Sequence, residues 1–162
     1  MKIYKNFLDK NYLQELQNIL YGPHTSFPWY YLDYLVSTPK DNVSNFYHIL
    51  YQFYKPNSDY FYLFEKLINK INPAALIRIR LNLYPKTGKK FETVFHTDVS
   101  DIKNYKTAIF YLNDNNGYTV FKDKKIKSEE NTLVDFDGQT LHKAVSATDN
   151  KKILININYI DK

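Results

Sequence analysis

The first 72 residues carry apolar side chains at helical spacing. A first helix is predicted to begin after Asp9, a residue that caps helix N-termini, and to end at Gly22-Pro23. Two more helices are predicted, one from about Val43 to Tyr54 and one over Ser58–Ile71. Between the first two, the aromatic run Phe27–Leu32 is typical of a strand or a loop.

Farther along the chain, apolar positions alternate with polar ones, which is the period of a strand with one buried face. In the clearest example, Ala75–Tyr84, aliphatic side chains occupy every second position from Ile77. The opposite face of that segment carries Arg78, Arg80, Asn82 and Tyr84. Turn residues separate four further predicted strands: Thr107–Asn113, Tyr118–Phe121, Thr132–Phe136 and Ile153–Tyr159. Many short strands predict a β-sandwich or a barrel.

The faces of the last strand predict a cavity inside this barrel. Isoleucines at alternate positions from Ile153 form one face, which we expect the N-terminal helices to cover. The opposite face mixes Leu154 with Lys152 and Asn156. A mixed face suits an interior that holds a polar ligand. Arg78 and Arg80 point to the same interior, where they either reach a substrate or form a structural ion pair at the barrel end.

The length of 162 residues fits one domain with a good-sized core. We predict that residues 1–72 form a helical support and residues 73–162 a β core. The absence of cysteine excludes disulfides, thiolate metal sites and cysteine nucleophiles. The net charge of +5 suits an anionic substrate or nucleic acid, but the scattering of the lysines favours a solvated surface. With no apolar run of membrane-spanning length and no signal peptide, the expected location is the cytoplasm.

One group of residues suits metal chemistry. His96 and Asp98 are two positions apart, so on a strand their side chains lie on the same face. His142 follows 44 residues after Asp98. Two imidazoles and one carboxylate leave open positions for a chelating cosubstrate and O2, which is the arrangement of non-haem Fe(II) oxygenases. Alone, a His-x-Asp pattern is common, and a structural histidine explains it as well.

A cation near the end of the chain strengthens the metal hypothesis. Lys152 opens the last strand, on its mixed face, ten residues after His142. A lysine buried there needs a carboxylate partner, which the distal carboxylate of a dicarboxylate cosubstrate would supply. Lys151 is the competing candidate, and the alternation of the strand favours Lys152.

These residues and their surroundings resemble a known family. The matching segments, in order, are Leu81-Asn82-Leu83-Tyr84-Pro85, His96-Thr97-Asp98, Thr107–Asn113, Asn116-Gly117, Phe136-Asp137, His142 and Lys152. Together they are similar to the 2-oxoglutarate/Fe(II)-dependent oxygenase superfamily, and most to its prolyl-4-hydroxylase-like branch with small bacterial and phage forms. The resemblance implies a double-stranded β-helix, a distorted jelly roll with helices packed on the larger sheet.

The resemblance also implies roles for individual residues. The His-x-Asp…His set matches the iron ligands of the family. Lys152 matches the basic residue that binds the distal carboxylate of 2-oxoglutarate, and Tyr111 matches a tyrosine that hydrogen-bonds the same carboxylate. Tyr84 and Asn82 match positions that line the cosubstrate pocket.

The implied activity is hydroxylation of an unactivated C–H bond, with Fe(II), O2 and 2-oxoglutarate as cofactor and cosubstrates and ascorbate as a candidate reductant. Succinate and CO2 are the implied co-products. A prolyl residue in a peptide or a small metabolite is the expected substrate. A nucleic-acid oxidative demethylase is a weaker alternative, because no clustered arginine patch or base-stacking motif is present. A non-catalytic jelly-roll protein that binds a metal or another ligand is a further alternative, and the sequence does not define an oligomeric state.

Overall fold

The computed structural model describes residues 1–33 and 44–162. Within them the helical elements are α1 (Lys10–Tyr21), a 3-10 helix (Asp59–Phe64) and α2 (Glu65–Ile71). The strands are β1 (Lys2–Lys5), β2 (Tyr30–Leu32), β3 (Asn45–Gln52), β4 (Lys55–Pro56), β5 (Ala75–Tyr84), β6 (Lys106–Tyr111), β7 (Tyr118–Phe121), β8 (Lys125–Lys127), β9 (Thr132–Asp137), β10 (His142–Val145) and β11 (Lys152–Ile160).

The strands form two antiparallel sheets. The larger sheet has the order β1-β9-β6-β11-β5-β3-β2, with β4 paired to β3, and the smaller sheet has the order β10-β7-β8. Side chains from both sheets meet in a small second core that includes Tyr111, Phe121 and Phe136. The predicted fold class, a jelly roll with mainly β structure, is confirmed.

Helix α1 covers one face of the larger sheet. Its N-terminus is capped as predicted, because the Asp9 side chain accepts hydrogen bonds from backbone N–H groups of the first turn. Leu16 and Leu20 are buried in one cluster with Leu81 and Ile155 of the sheet. Burying one such side chain contributes roughly 1.5–3 kcal/mol, so this contact is a main source of stability.

The predicted helix from Ser58 to Ile71 is also present, although its first half is a 3-10 helix. The Ser58 side chain accepts from the backbone N–H of Tyr60 and caps it. The helix ends where Asn72 adopts a left-handed conformation, φ 57°. Among the described residues, no helix is long and apolar enough to cross a membrane.

The helix predicted from Val43 to Tyr54 is wrong. Val43 lies outside the described residues, and the rest of the segment contains strand β3, which pairs with β5 on one side and β2 on the other. Over eight residues the apolar pattern fits either period, and aromatic and β-branched side chains then favour the strand. Pairing also satisfies the backbone groups along the edge of β5. The N-terminal 72 residues therefore supply strands β1 to β4 as well as helices.

The predicted faces of β5 and β11 are confirmed. Ile79 and Ile153 lie in the core under the helices. On the opposite face, Asn82 and Leu154 line a cavity between the two sheets. The alternation read from the sequence thus places the polar face inside the barrel.

Candidate metal centre

His96, Asp98 and His142 come together at the cavity. One ligand atom from each lies within 4.8 Å of the others. The imidazole rings are 4.9 Å apart between centroids, and His142 Nε2 is 3.8 Å from Asp98 Oδ2. The three residues are up to 46 positions apart in sequence, and the fold brings them together. Chance is therefore a poor explanation of the cluster.

The backbone explains how the two histidines meet. His96 and His142 form an antiparallel bridge in which each N–H donates to the other carbonyl at 3.0 Å. His142 opens β10, but the segment around His96 and Asp98 is not a regular strand and has isolated bridges only at Glu92 and His96. The expectation that His96 and Asp98 sit on a strand is therefore corrected, although their side chains still face the same space.

Hydrogen bonds set the tautomer of both imidazoles. His96 Nδ1 lies 2.9 Å from the Val94 carbonyl oxygen, and His142 Nδ1 lies 3.0 Å from that of Thr140. A carbonyl can only accept, so each Nδ1 carries the hydrogen, and in the neutral ring Nε2 carries the lone pair. Metal-binding histidines are oriented in this way, so the donor set fits a divalent metal ion.

The Asp98 carboxylate is nearly enclosed, with 4% of its side chain exposed. Burial alone would raise its pKa, but His142, Arg78 and His96 and a hydrogen bond from Asn158 together hold the pKa below its ordinary value. Asn156 Nδ2 donates to Oδ1 at 3.2 Å and Asn158 Nδ2 to Oδ2 at 3.1 Å. The carboxylate is therefore ionised and fixed in orientation, as a metal ligand must be.

The cavity beside the three residues measures about 210 Å³. Asn82 and Tyr84 of β5, Thr119 of β7 and Leu154 of β11 line it, together with the candidate metal ligands. Two of the residues predicted to line a cosubstrate pocket, Tyr84 and Asn82, are thus in its wall.

Lys152 and Tyr111 lie one side chain behind this wall. Lys152 is completely buried, and its Nζ donates to the carbonyl oxygens of Tyr118 and Val145 at 2.8 and 3.1 Å. Tyr111 is equally buried, and its hydroxyl donates to Thr119 Oγ1 at 2.7 Å. Among the described residues no carboxylate pairs with Lys152, so burial lowers its pKa to about 7, with help from Lys90.

No protein-family model matches the sequence, and no curated protein sequence matches it. Solved structures do. A prolyl-4-hydroxylase from Pseudomonas putida is similar with a TM-score of 0.65 and 13% identity, over 99% of this chain and 92% of that one. A prolyl hydroxylase from Trichoplax adhaerens, in complex with a peptide fragment of hypoxia inducible factor, has a TM-score of 0.64 and 17% identity, over 99% of this chain and 83% of that one. The non-heme alpha ketoglutarate dependent epimerase SnoN has a TM-score of 0.64 and 16% identity, over 98% of this chain and 77% of that one.

The protein has the fold of the prolyl-4-hydroxylase-like oxygenases. At these identities the similarity establishes the architecture, and the resemblance predicted from the sequence is confirmed at that level. The epimerase shows that the same architecture also carries another reaction. The function of this chain must therefore be argued from its own residues.

Within this oxygenase fold, Tyr105 holds the loops that carry two of the candidate ligands. Its hydroxyl accepts from the Val99 N–H at 3.1 Å and lies 2.8 Å from the Gly138 carbonyl oxygen. Val99 follows Asp98, and Gly138 lies four residues before His142. Only glycine fits at 138, because a side chain there would collide with the Tyr105 ring.

Replacing Tyr105 with phenylalanine is therefore expected to weaken metal binding. Two backbone groups lose a buried partner, which costs about 1–3 kcal/mol of folding free energy. The loops that carry Asp98 and His142 also lose the tyrosine hydroxyl that connects them. Calorimetric titration with Zn(II) measures the affinity, and thermal unfolding measures the stability.

Tyr12→Phe is the matched control, because it also removes a tyrosine hydrogen bond, to the Leu63 carbonyl oxygen at 2.6 Å, but far from the metal residues. It should cost similar stability and leave zinc affinity unchanged. Equal zinc affinity in the two variants would contradict the role given to Tyr105.

Sequence reasoning did not assign a role at the metal centre to Asn156, Asn158 or Tyr105. The two asparagines share the mixed face of β11, so alternation placed them inside the barrel but did not identify Asp98 as their partner. Tyr105 lies outside every predicted strand, and no sequence signal marks it. Arg78, left open between two roles, forms an ion pair with Asp98 at 3.5 Å.

Proposed function

We propose that the protein is an Fe(II)- and 2-oxoglutarate-dependent dioxygenase that hydroxylates an unactivated C–H bond of a peptide or a small molecule. The observation that carries the proposal is the cluster of His96, Asp98 and His142 in the wall of a polar cavity. The oxygenase fold supports it, since a jelly roll with this donor set suits non-haem Fe(II).

The three clustered residues would hold the iron and leave positions open for small ligands. Bound iron supplies the oxidation of a C–H bond by O2, coupled to decarboxylation of 2-oxoglutarate to succinate and CO2. The chain contributes geometry: two histidines fixed through Nδ1 and a carboxylate fixed by Asn156 and Asn158. Ascorbate is an optional reductant in this scheme.

Lys152 is the proposed partner of the distal carboxylate of 2-oxoglutarate. A buried cation without a counter-ion is costly, and a bound dicarboxylate would remove that cost. Tyr111 and Thr119 offer hydroxyl groups that are hydrogen-bonded to each other, and Lys152 Nζ binds the carbonyl oxygen of Tyr118, the residue before Thr119. Gly117 leaves room, because a side chain there would come within 3.1 Å of Lys152 Cδ.

The affinity for 2-oxoglutarate is expected to fall as the pH rises above 7. Burial lowers the pKa of Lys152 to about 7 in the ligand-free protein, whereas the dicarboxylate pairs only with the ammonium form. Binding at higher pH must therefore take up a proton, and the dissociation constant should rise by up to about tenfold per pH unit. Calorimetry in two buffers with different ionisation enthalpies measures the proton uptake.

The ligand-free protein should show the matching effect on stability. The lysine pKa is lower in the folded state than its usual 10.5, so the unfolded chain binds a proton first as the pH falls. The stability should therefore decline from about pH 10.5 to about 7 and then level off. Lys152→Met should lack both dependences; a Lys152→Met variant that still takes up a proton on binding would contradict the assignment.

A peptide substrate has support from one neighbour, the Trichoplax adhaerens enzyme with its bound peptide fragment. A prolyl residue is accordingly the first substrate to test, and small metabolites are the second. A nucleic-acid substrate ranks below both.

The decisive assay is succinate release from 2-oxoglutarate in the presence of Fe(II) and ascorbate, screened against prolyl peptides and metabolites. We expect release that depends on both iron and a substrate. Tight binding of metal and 2-oxoglutarate with no succinate from any substrate would favour the non-catalytic binding protein instead.

A further inference from the structure

Arg80 is a partly buried cation that the proposed chemistry does not use. It lies on the inner face of β5 and lines the cavity. Its Nε and Nη2 atoms are buried, and among the described residues neither has a hydrogen-bond partner. Burial lowers the pKa of its guanidinium below the ordinary value. Unmatched buried donors are rare in folded proteins and need an explanation.

The neighbouring Arg78 differs in this respect. Its Nε donates to Asn158 Oδ1 at 3.2 Å, and its Nη2 lies 3.5 Å from Asp98 Oδ1. The guanidinium of Arg78 is thus already bound to Asn158 and Asp98. Arg80, two residues on and facing the same interior, forms no ion pair within the described parts of the chain.

The unmatched atoms form one recognition edge. Nε–H and the adjacent Nη2–H lie side by side in the guanidinium plane, and this edge binds a carboxylate through two parallel hydrogen bonds. The flat face of the same group stacks on the Tyr47 ring, at 4.8 Å from its centroid. Stacking uses the face of the guanidinium and leaves its edge available to a ligand.

The position of Arg80 separates it from the cosubstrate end of the site. Along the paired strands, Lys152 lies opposite Tyr84 and Asn156 lies opposite Arg80. Four residues of strand span roughly 13 Å, at about 3.3 Å per residue. Lys152 and Arg80 therefore lie at different levels of the paired strands. Asn156, the cross-strand partner of Arg80, donates to Asp98, so Arg80 lies level with the candidate metal centre.

We propose that Arg80 binds a carboxylate of the substrate and so makes the enzyme selective for acidic substrates. This inference rests on the proposed function, because it assigns the remaining part of the same cavity to the substrate. The two unpartnered donors of Arg80 in the cavity wall supply the hydrogen bonds that a carboxylate accepts.

Binding of matched probes tests the proposal without needing turnover. N-acetylproline and N-acetylprolinamide, which differ in the carboxylate, are titrated into the full-length protein loaded with Zn(II) and 2-oxoglutarate. The Nε–H signal of Arg80 is followed by NMR. We expect the acid to bind about 10- to 100-fold more tightly than the amide and to shift that signal. Inorganic phosphate, as a third probe, should bind more weakly than the acid.

Arg80→Gln should abolish the preference for the acid and leave zinc and 2-oxoglutarate affinities unchanged. Arg80→Lys keeps the charge but cannot form the bidentate pair of hydrogen bonds, so it should retain only part of the preference. Lys124→Gln, which removes one exposed positive charge at the tip of the β7–β8 hairpin, should change nothing.

Four results would overturn the inference: no acid preference in the wild type, a preference that survives Arg80→Gln, tighter binding of phosphate, or a loss of 2-oxoglutarate affinity in Arg80→Gln. Failure of the wild type to bind zinc or 2-oxoglutarate would instead count against the proposed function. The NMR signal of Arg80 still reports on carboxylate binding in that case.

Discussion

Asp98→Ala is expected to reduce succinate release from 2-oxoglutarate by about four orders of magnitude, the scale of losing one member of a catalytic group. The variant removes the proposed carboxylate ligand and leaves two imidazoles that cannot hold the metal in the same geometry. Arg78, Asn156 and Asn158 also lose their acceptor. The expected cost in stability is about 1–3 kcal/mol, so the variant should remain folded.

Two controls separate chemistry from folding in this experiment. Asp98→Asn keeps the side-chain volume but not the charge, and it should be as inactive as Asp98→Ala. Asp101→Ala removes an exposed carboxylate three residues away and should retain full activity. In the described part of the chain this carboxylate accepts a hydrogen bond from the neighbouring Ser100. Normal turnover by a folded, metal-loaded Asp98→Ala protein would exclude Asp98 from the metal centre.

Lys152→Ala is expected to weaken 2-oxoglutarate binding by roughly two to four orders of magnitude. Removing one partner of a buried charge pair costs about 3–5 kcal/mol. Each tenfold change in affinity corresponds to about 1.4 kcal/mol. The dicarboxylate would lose the buried ammonium proposed to pair with it, and the Tyr111 hydroxyl alone cannot replace it. Anaerobic titration of the Fe(II)-loaded variant with 2-oxoglutarate measures the effect.

The neighbouring lysine is the control for this effect. Lys151 lies on the other side of the strand, with its Nζ 4.8 Å from the centroid of the Tyr21 ring, so Lys151→Ala should bind 2-oxoglutarate normally. If Lys151→Ala were the damaged variant, the cosubstrate would bind on the helix side of the sheet and the proposed site would be wrong.

Stability gives an independent measure of the role of Lys152. Replacing a buried uncompensated cation with methionine keeps the volume and removes the desolvation cost, so Lys152→Met should be more stable than the wild type by roughly 1–4 kcal/mol. A residue that lowers the stability of the ligand-free protein is expected at a functional site. A less stable Lys152→Met variant would indicate a structural role for the ammonium.

The strands with one buried face could be predicted from sequence because their alternation is long. The prediction of β5 agrees with the structure at both ends, Ala75 and Tyr84, and the faces of β11 are as expected. Strand β3 could not be distinguished from a helix, because eight residues with an apolar pattern fit both periods and only the partner strand decides.

The candidate metal residues could be found because the chemistry needs particular residue types at characteristic spacing, and the structure places their ligand atoms together. Their supporting residues could not be found in this way. Tyr105 acts through backbone groups of two loops. The lack of hydrogen-bond partners for Arg80 Nε and Nη2 among the described residues can be recognised only when the neighbours of Arg80 are known. Such features depend on tertiary contacts rather than on local pattern.

The most direct test of the central claim is anaerobic addition of 2-oxoglutarate to the Fe(II)-loaded wild-type protein, followed by visible absorption. Chelation of the iron by the 2-oxo acid gives a metal-to-ligand charge-transfer band, which should appear and saturate at one 2-oxoglutarate per iron. The band should be absent in Asp98→Ala and should need far more 2-oxoglutarate in Lys152→Ala. A wild-type protein that binds iron but gives no such band at saturating 2-oxoglutarate would contradict the proposed function.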